Sequence, residues 1–160
     1  MPITISGEIK PLSTCGPILL LKDKLDEPFI LMNGEILTKL NFKKAYDRAS
    51  DLDCELTVVT KQIVTPFHFG NVTTRGDYLL DVQEKPDFRL GILSAIYILK
   101  PGVFSILPED RYYSIDDLIK DMLKRGMKIG RYLPEEYWLD IGRIEDYRLS
   151  QQAYNDHFRS

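Results

Sequence analysis

The 160-residue sequence contains only two cysteines, two histidines and one tryptophan. Cys15 and Cys54 are too few for a disulfide framework or a zinc cluster, so we expect reduced thiols in a cytoplasmic protein. No apolar run approaches the roughly 20 residues that span a bilayer, and the first ten residues do not have the pattern of a signal peptide. The sequence therefore argues against disulfide-stapled domains, zinc modules and membrane proteins.

An excess of positive charge is also missing. The chain has 21 lysines and arginines against 24 aspartates and glutamates, which gives a formal net charge of −3. Because no basic face dominates, we do not expect nucleic acid as the main partner. With 44% hydrophobic and 28% charged residues, the composition is that of a globular chain, and we predict a single domain over residues 1–160.

Strand and helix patterns alternate along the chain. The predicted strands are Ile3–Ile9, Phe29–Asn33, Glu55–Gln62, Asp77–Gln83 within the main sheet, Gly91–Leu99, Lys128–Leu133 and Tyr137–Leu139. The predicted helices are Pro17–Leu25, Asn41–Ser50 with Asn41 as N-cap, the segment SIDDLIKDMLKRG with Ser114 as N-cap, and Ile144–Phe158. This interleaving predicts an α/β fold with a sheet of mixed strand direction.

Two apolar runs lead into a loop that combines glycine with an acid. Glu35 follows the Asn33–Gly34 turn in LMNGEI, and Asp140 precedes Gly142 in YWLDIGRIEDY. Ligands of open α/β sheets bind beyond the carboxyl ends of strands, and Mg²⁺ needs only one or two carboxylates besides phosphate oxygens and water. The two acids are therefore candidates for a shared metal site, although acids beside glycine also occur in ordinary solvated turns.

A third motif, VQEKPD, places Glu84 and Lys85 at the end of a strand, just before Pro86. A lysine there can neutralise a phosphate, and the neighbouring glutamate can accept hydrogen bonds from sugar hydroxyls. By itself, the pair also fits an exposed ion pair at the end of a hairpin.

Taken in order, FILMNGEIL, FGNV, VQEKP, SAIYIL and EYWLDIGRIEDY resemble motifs of the sugar-1-phosphate nucleotidylyltransferases, the NDP-sugar pyrophosphorylases. The segment PLSTCGPILLLKD is similar to that family's Leu-Gly-Thr-Ala-Gly-Ala segment, and the resemblance extends from about Ile9 to the end. It implies a Rossmann-like mixed sheet of the nucleotidyltransferase, GT-A-like type that is incomplete in its N-terminal half. The chain would match roughly the C-terminal two thirds of the catalytic domain.

The resemblance also implies a reaction and a set of residues. A sugar-1-phosphate oxygen attacks the α-phosphorus of a nucleoside triphosphate, and pyrophosphate leaves. Glu35 and Asp140 would hold Mg²⁺, and Asp140 and Lys85 would act in catalysis. The implied substrate contacts are Thr14 and Gly16 beside the nucleotide, Gly70 and Tyr97 in the sugar pocket, Glu84 on the sugar hydroxyls and Lys85 on the sugar phosphate.

The sequence departs from the family pattern at several places. The family ordinarily has Asp at Glu35, Gly at Ser13 and Ala95, and Ala at Cys15. The 160 residues also contain no Gly-x-Gly-x-Arg loop, whose backbone N–H groups and cation would hold a triphosphate. We therefore expect an N-terminally truncated member with weak or absent turnover of its own.

Two other functions remain open at this point. One is a non-catalytic module that binds a nucleotide sugar or a partner chain. The other is a metal-dependent glycosyltransferase-like protein of related fold, although no Asp-x-Asp pair follows a predicted strand.

The truncation also has a consequence for assembly. Without the family's first strands, Phe29–Asn33 would be an apolar sheet edge with unpaired backbone groups. We expect a homodimer with that edge or Ile3–Ile9 at the interface, or a separate partner segment that supplies the missing N-terminal region.

Overall fold

A computed structural model describes residues 3–159 of the chain. In chain order its strands are β1 (Phe29–Met32), β2 (Ile36–Thr38), β3 (Leu56–Pro66), β4 (Asn71–Arg75), β5 (Tyr78–Gln83), β6 (Asp87–Leu99), β7 (Gly130–Tyr132) and β8 (Trp138–Asp140). The α-helices are α1 (Phe42–Asp51), α2 (Ile115–Lys124) and α3 (Ile144–Phe158), and 3₁₀ helices span Gly16–Lys24 and Pro101–Ser105. None of the helices within residues 3–159 is long and apolar enough to cross a membrane.

A four-stranded sheet in the order β1-β6-β3-β7 forms the centre of the fold. Strand β6 runs antiparallel to both β1 and β3, whereas β7 runs parallel to β3. The α/β class and the mixed strand directions predicted from the sequence are therefore confirmed.

The two faces of this sheet carry separate hydrophobic cores. Because side chains alternate along a strand, Tyr97 and Leu99 of β6 point to one face and Ile96 and Ile98 to the other. The first pair packs with α2 and the first 3₁₀ helix, and the second pair packs with α1. The result is a three-layer arrangement with helices on both faces of the sheet.

Several local predictions are confirmed. Asn41 is the N-cap of α1, and its side-chain oxygen accepts a hydrogen bond of 3.0 Å from the Lys44 N–H. Helix α3 has the predicted bounds. Strand β6 ends at Leu99 as predicted, and β3 begins at Leu56, one residue later than predicted. Both strands extend beyond the predicted bounds into a long two-stranded ribbon, in which Gln62 to Pro66 pair with Gly91 to Asp87.

The prediction of a strand at Ile3–Ile9 is wrong. Residues 3–9 have no regular structure, and Ile3, Ile5 and Ile9 are almost fully exposed. A strand requires a neighbour for its backbone N–H and C=O groups, and within residues 3–159 this segment pairs with none. Alternating β-branched residues favour an extended backbone, but they do not supply that neighbour.

Two further predictions need correction. The prediction that Asp77–Gln83 lies in the main sheet is wrong, because β5 pairs with β4 in a separate two-stranded sheet whose β5 residues are all exposed. The helix predicted at Pro17–Leu25 is a 3₁₀ helix at Gly16–Lys24, with little amphipathic character to hold an α-helix against the core.

A small ladder, β2 with β8, lies against the α1 face and positions the loops that follow it. The Trp138 indole N–H donates to the Ser94 carbonyl at 2.9 Å, and the Ser94 hydroxyl donates to the Val59 carbonyl at 2.8 Å. These bonds connect β8 through β6 to β3. The end of β8, which includes Asp140, is therefore held firmly against the central sheet.

Candidate functional site

The β2–β8 ladder brings Glu35 and Asp140 to one cleft of about 480 Å³. Ile36 is paired with Asp140, and the Ile141 N–H donates to the Glu35 carbonyl at 2.9 Å. Residues that are about a hundred positions apart in sequence thus become neighbours. The structure thus places Glu35 and Asp140 in the same cleft, which is the arrangement expected from the sequence.

Gly142 lies beside both acidic side chains. A Cβ atom at this position would lie 3.0 Å from Asp140 Oδ1 and 3.5 Å from Glu35 Cγ. Both acidic side chains therefore approach the same point, which a larger residue at position 142 would fill.

Each carboxylate has one oxygen held by a local hydrogen bond. The Asn33 Nδ2 group donates to Glu35 Oε1 at 3.0 Å, and the Gly142 N–H donates to Asp140 Oδ1 at 2.8 Å. Glu35 Oε2 and Asp140 Oδ2 have no hydrogen-bond partner among residues 3–159. Two oriented carboxylates with open oxygens and unfilled space suit Mg²⁺, which takes its remaining ligands from phosphate and water.

This donor set is not a complete protein cage. Within the described chain, no group of three or more His, Cys, Asp or Glu side chains could hold a metal ion. An all-protein, zinc-type site is therefore not formed by the described residues, and two carboxylates could supply only part of the coordination shell of an ion.

Arg143 and Asp146 line the same cleft and were not among the residues singled out from the sequence. The Arg143 Nε–H donates to Asp146 Oδ2 at 2.6 Å. This hydrogen bond, the negative charge of Asp146 and the more distant charges of Glu145 and Asp140 raise the pKa of the Arg143 guanidinium. The cleft is completed by an apolar wall that includes Ile63 and Ile92.

Gly70, Glu84 and Lys85 form a second group at the far end of the β3–β6 ribbon. A Cβ at Gly70 would lie 3.6 Å from Glu84 Oε2, and Lys85 Nζ lies 3.8 Å from Glu84 Oε1. Lys85 and Glu84 are largely exposed there, and Lys85 has a positive φ of 42°. The structure thus brings these three residues together at the ribbon end, without Tyr97, which the resemblance places with them in the sugar site.

The second group is separate from the cleft. The Phe67 N–H donates to the carbonyl of Pro86, which fixes the end of the ribbon, whereas Ile92 lines the cleft. Ile63 also lines the cleft, three residues before Pro66, whose ladder partner is Asp87, so the cleft wall and the ribbon end are about 10 Å apart along a straight strand. Lys85 itself does not line the cleft that holds the two carboxylates.

Thr14 and Gly16 belong to a third group on the α2 face. The Thr14 hydroxyl accepts a hydrogen bond of 3.0 Å from the Ile115 N–H at the start of α2. A Cβ at Gly16 would lie 2.9 Å from the Arg111 carbonyl oxygen and from Leu12 Cβ, so packing alone requires glycine there. Thr14 also lines a cavity of about 380 Å³ beside Leu31 of β1.

Tyr97 is buried in the same layer, on the opposite face of the sheet from the ladder that carries Asp140. Burial, followed by the charges of Asp116 and Cys15, raises the pKa of Tyr97 to about 12. Burial likewise raises the pKa of the Cys15 thiol to about 12, so this group is not an activated nucleophile. The structure does not bring Tyr97 together with Glu35, Asp140 or Lys85.

The residues that sequence reasoning missed all lie close to a predicted acid. Asn33 lies two residues before Glu35 and orients its side chain. Arg143 and Asp146 come three and six residues after Asp140, at the N-cap and in the first turn of α3. The signal was present in the motif YWLDIGRIEDY, which contains a cation and a second acid directly after the glycine.

Comparison with known proteins identifies a family that spans nearly the whole chain. The family model described as nucleotidyl transferase matches residues 2–157. Among curated proteins, the chain is 28% identical over 165 aligned residues to probable mannose-1-phosphate guanylyltransferase 3 of Arabidopsis thaliana, covering 98% of this chain and 50% of that protein. It is 30% identical to mannose-1-phosphate guanyltransferase of Candida albicans, covering 91% of this chain and 42% of that protein.

A solved structure gives the same fold. HddC from Yersinia pseudotuberculosis complexed with GMP-PN superposes with a TM-score of 0.63 at 24% identity, covering 92% of this chain and 64% of that chain. At this identity, the likeness shows the fold alone. The chain spans about half the length of the curated relatives it matches.

Proposed function

The chain belongs to the nucleotidyl transferase family of sugar-1-phosphate nucleotidylyltransferases, and from this premise we propose that it binds a sugar-1-phosphate together with a divalent metal. The observation that carries the proposal is the convergence of Glu35 and Asp140 around Gly142. In this proposal the two carboxylates hold Mg²⁺, and the cleft beside them receives the phosphate. The family reaction joins a nucleoside triphosphate and a sugar-1-phosphate into an NDP-sugar and pyrophosphate.

The chemistry needs positioning and charge neutralisation rather than a covalent intermediate. When bound, Mg²⁺ would neutralise phosphate charge near the attacking oxygen. Asn33 holds the Glu35 carboxylate in place, and the Gly142 N–H holds that of Asp140, so both are oriented before any ligand arrives. Orientation before binding reduces the ordering that the ligand must bring about.

We also propose roles for the other residues that the family resemblance assigns to substrate binding. Gly70, Glu84 and Lys85 would contact the sugar-1-phosphate from the ribbon end, outside the cleft that holds the two carboxylates. Thr14 would contact the nucleotide from the α2-face cavity that it lines. Gly16, implied beside the nucleotide, and Tyr97, implied in the sugar pocket, are both buried, so they would support the surrounding structure rather than touch a ligand.

We propose that turnover by the 160 residues alone is weak or absent. No Gly-x-Gly pair occurs in their sequence, and the backbone N–H groups of such a loop are what the family uses to hold a triphosphate. Loss of even one preorganised donor of this kind can reduce the rate by about 10²–10³. Binding of a sugar phosphate without turnover is therefore the alternative function that this feature favours.

Calorimetry tests the carboxylate pair directly. We expect wild-type protein to bind Mn²⁺ or Mg²⁺, and then mannose-1-phosphate, and we expect Asp140→Asn and Glu35→Gln to weaken metal binding by about tenfold or more. Asp77→Asn, in the exposed β4–β5 turn, removes an acid of the same charge outside the cleft and is the matched control. Equal isotherms for the wild type and both cleft variants would refute the metal site.

We also propose a homodimer and a cytoplasmic location. The first rests on β1, which pairs with β6 on one side and with no strand on the other among residues 3–159. The second rests on Cys15 and Cys54, both of which are free thiols.

A further inference from the structure

The charges of the Glu35–Asp140 cleft do not by themselves favour a phosphate. Its charged lining residues are Glu35, Asp140, Asp146 and Arg143, so three carboxylates face one guanidinium. One divalent cation offsets two negative charges, but a phosphate group also requires N–H donors to fix its oxygens. Among the described residues that line the cleft, Arg143 is the only cation.

The lysine that the family resemblance assigns to the phosphate lies elsewhere. Lys85 is at the far end of the β3–β6 ribbon, it does not line the cleft, and it is paired there with Glu84. A donor for a phosphate next to the carboxylates must therefore come from another residue.

Arg143 has the geometry for this task. Its Nε–H is bonded to Asp146 Oδ2, whose side chain is 17% exposed, whereas the Arg143 side chain is 79% exposed, so the guanidinium is held through Nε and is otherwise accessible from solvent. Its Nη groups make no hydrogen bond within residues 3–159. A guanidinium anchored through Nε presents these remaining N–H groups as a planar fork, which matches two oxygens of a phosphate.

We propose that Arg143 is the phosphate-binding residue of the Glu35–Asp140 cleft and that Asp146 is the positioning residue for its guanidinium. The ligand is a phosphate monoester, such as the sugar-1-phosphate of the proposed function, on which this inference rests. Arg143 contacts the phosphate, whereas the two carboxylates hold the metal.

A purely structural role for Arg143 makes a different prediction. The residue is also the N-cap of α3, and Asp146 lies in the first turn of that helix, where a negative charge is favourable in any case. If Arg143 and Asp146 only stabilise the helix start, their replacement changes the stability of the protein and leaves ligand affinity unchanged.

The experiment compares phosphate and metal binding in one set of variants by calorimetry. We expect Arg143→Gln to weaken mannose-1-phosphate binding to the Mn²⁺-loaded protein by about 10- to 100-fold, with Mn²⁺ affinity unchanged. Arg143→Lys keeps the charge without the fork and should recover part of the affinity. Arg148→Gln, an exposed arginine of α3 outside the cleft, should bind like the wild type.

A double-mutant cycle tests the positioning role of Asp146. Asp146→Asn should weaken mannose-1-phosphate binding in the wild-type background but add no further loss to Arg143→Gln, because it acts through the guanidinium. Equal losses in both backgrounds would overturn that role. Wild-type affinity in Arg143→Gln would overturn the phosphate-binding role while leaving the proposed metal site intact.

The same measurements distinguish a failure of the proposed metal site from a failure of the Arg143 proposal. If the wild type binds Mn²⁺ no better than Asp140→Asn, the metal site is wrong, and the Arg143 comparison is then made with inorganic phosphate on the metal-free protein. Weaker phosphate binding by Arg143→Gln would support Arg143 even in that case, and equal binding would refute it.

Discussion

Ser13 has a backbone φ of +68°, a conformation in which a Cβ atom is crowded by the neighbouring backbone. Ala95 has a φ of +58° and lies opposite the irregularity in the β3–β6 ladder between Val58 and Thr60. Both are positions at which the family resemblance leads one to expect glycine. At both positions the backbone therefore has a conformation typical of glycine, although serine and alanine adopt that conformation less readily.

At Ser13 this conformation gives a stability prediction. The Ser13 side chain makes no hydrogen bond within residues 3–159. Ser13→Gly therefore removes the crowding of the Cβ atom without breaking a hydrogen bond. We expect it to raise the free energy of unfolding by up to about 1 kcal/mol in urea denaturation.

Ser13→Ala is the matched control for this change. It removes the hydroxyl but keeps the Cβ, so its stability should stay close to that of the wild type. An equal gain from Ala and Gly would mean that the hydroxyl, and not the backbone conformation, is unfavourable.

Among the elements, α2 has the most completely satisfied N-terminus. The Ser114 hydroxyl accepts from the Asp117 N–H at 3.1 Å, and Asp117 Oδ2 accepts from the Ser114 N–H at 3.0 Å. Thr14 satisfies the Ile115 N–H from outside the helix. The N-cap predicted at Ser114 is thus part of a capping box, and Thr14 adds a third member that only the fold supplies.

The Thr14 contact predicts a structural effect that is separable from nucleotide binding. Thr14→Val keeps the shape of the side chain but leaves the Ile115 N–H without its acceptor, so the free energy of unfolding should fall by about 1 kcal/mol. Thr14→Ser, which keeps the hydroxyl, is the control and should retain most of the stability. An unchanged unfolding curve for Thr14→Val would show that water replaces the hydroxyl at no cost.

The capping box also predicts a pH dependence. Hydrogen bonds from the Ser114 backbone and hydroxyl hold the pKa of Asp117 below its ordinary value of 3.8. A depressed folded-state pKa contributes stability above the unfolded-state pKa, and that contribution is lost as the pH falls through the folded-state pKa. The stability difference between the wild type and Asp117→Asn should therefore be constant near neutral pH and shrink below about pH 4.

Chemical denaturation from pH 7 to pH 3 measures this difference. Glu109→Gln, in the loop before α2, is a control acid whose substitution should leave the pH profile in place. A difference between the wild type and Asp117→Asn that persists unchanged at pH 3 would contradict the capping role of the charge.

At the scale of the whole molecule, the main sheet ends in β1, which has β6 as its one partner among the described strands. Ile30 of that strand is 37% exposed. The β4–β5 hairpin presents a second apolar surface, on which Tyr78, Leu79 and Leu80 are more than half exposed. An open edge and an exposed apolar hairpin are both features that natural proteins tend to cover.

The β1 edge leads us to predict a homodimer at micromolar concentration, measured by light scattering after size-exclusion chromatography. Ile30→Lys places a charge on the free edge and should shift the protein to monomer. Leu80→Lys, on the hairpin, should leave the dimer in place. Dissociation by Leu80→Lys alone would move the interface to the hairpin, and a monomeric wild type would refute the dimer.

The sequence by itself determined the features that depend on neighbours in the chain. The cap at Asn41 and the capping box at Ser114 arise from side chains within three residues of the backbone groups they satisfy. The bounds of α3 also agree with the sequence prediction, although no side chain caps its N-terminus. The ordered motifs also identified the family, because their spacing reflects that fold, and they singled out Glu35 and Asp140.

The tertiary structure alone decided which distant residues meet. Ile3–Ile9 has the pattern of a strand but no neighbour to pair with, and β5 finds its partner in β4 rather than in the main sheet. Tyr97 faces α2 rather than the acids, since its direction follows from the register of β6 and not from its neighbours in sequence. Arg143 reaches the cleft because the β2–β8 ladder places Asp140 beside Glu35. Pairing and register depend on long-range contacts, which no local pattern of residues specifies.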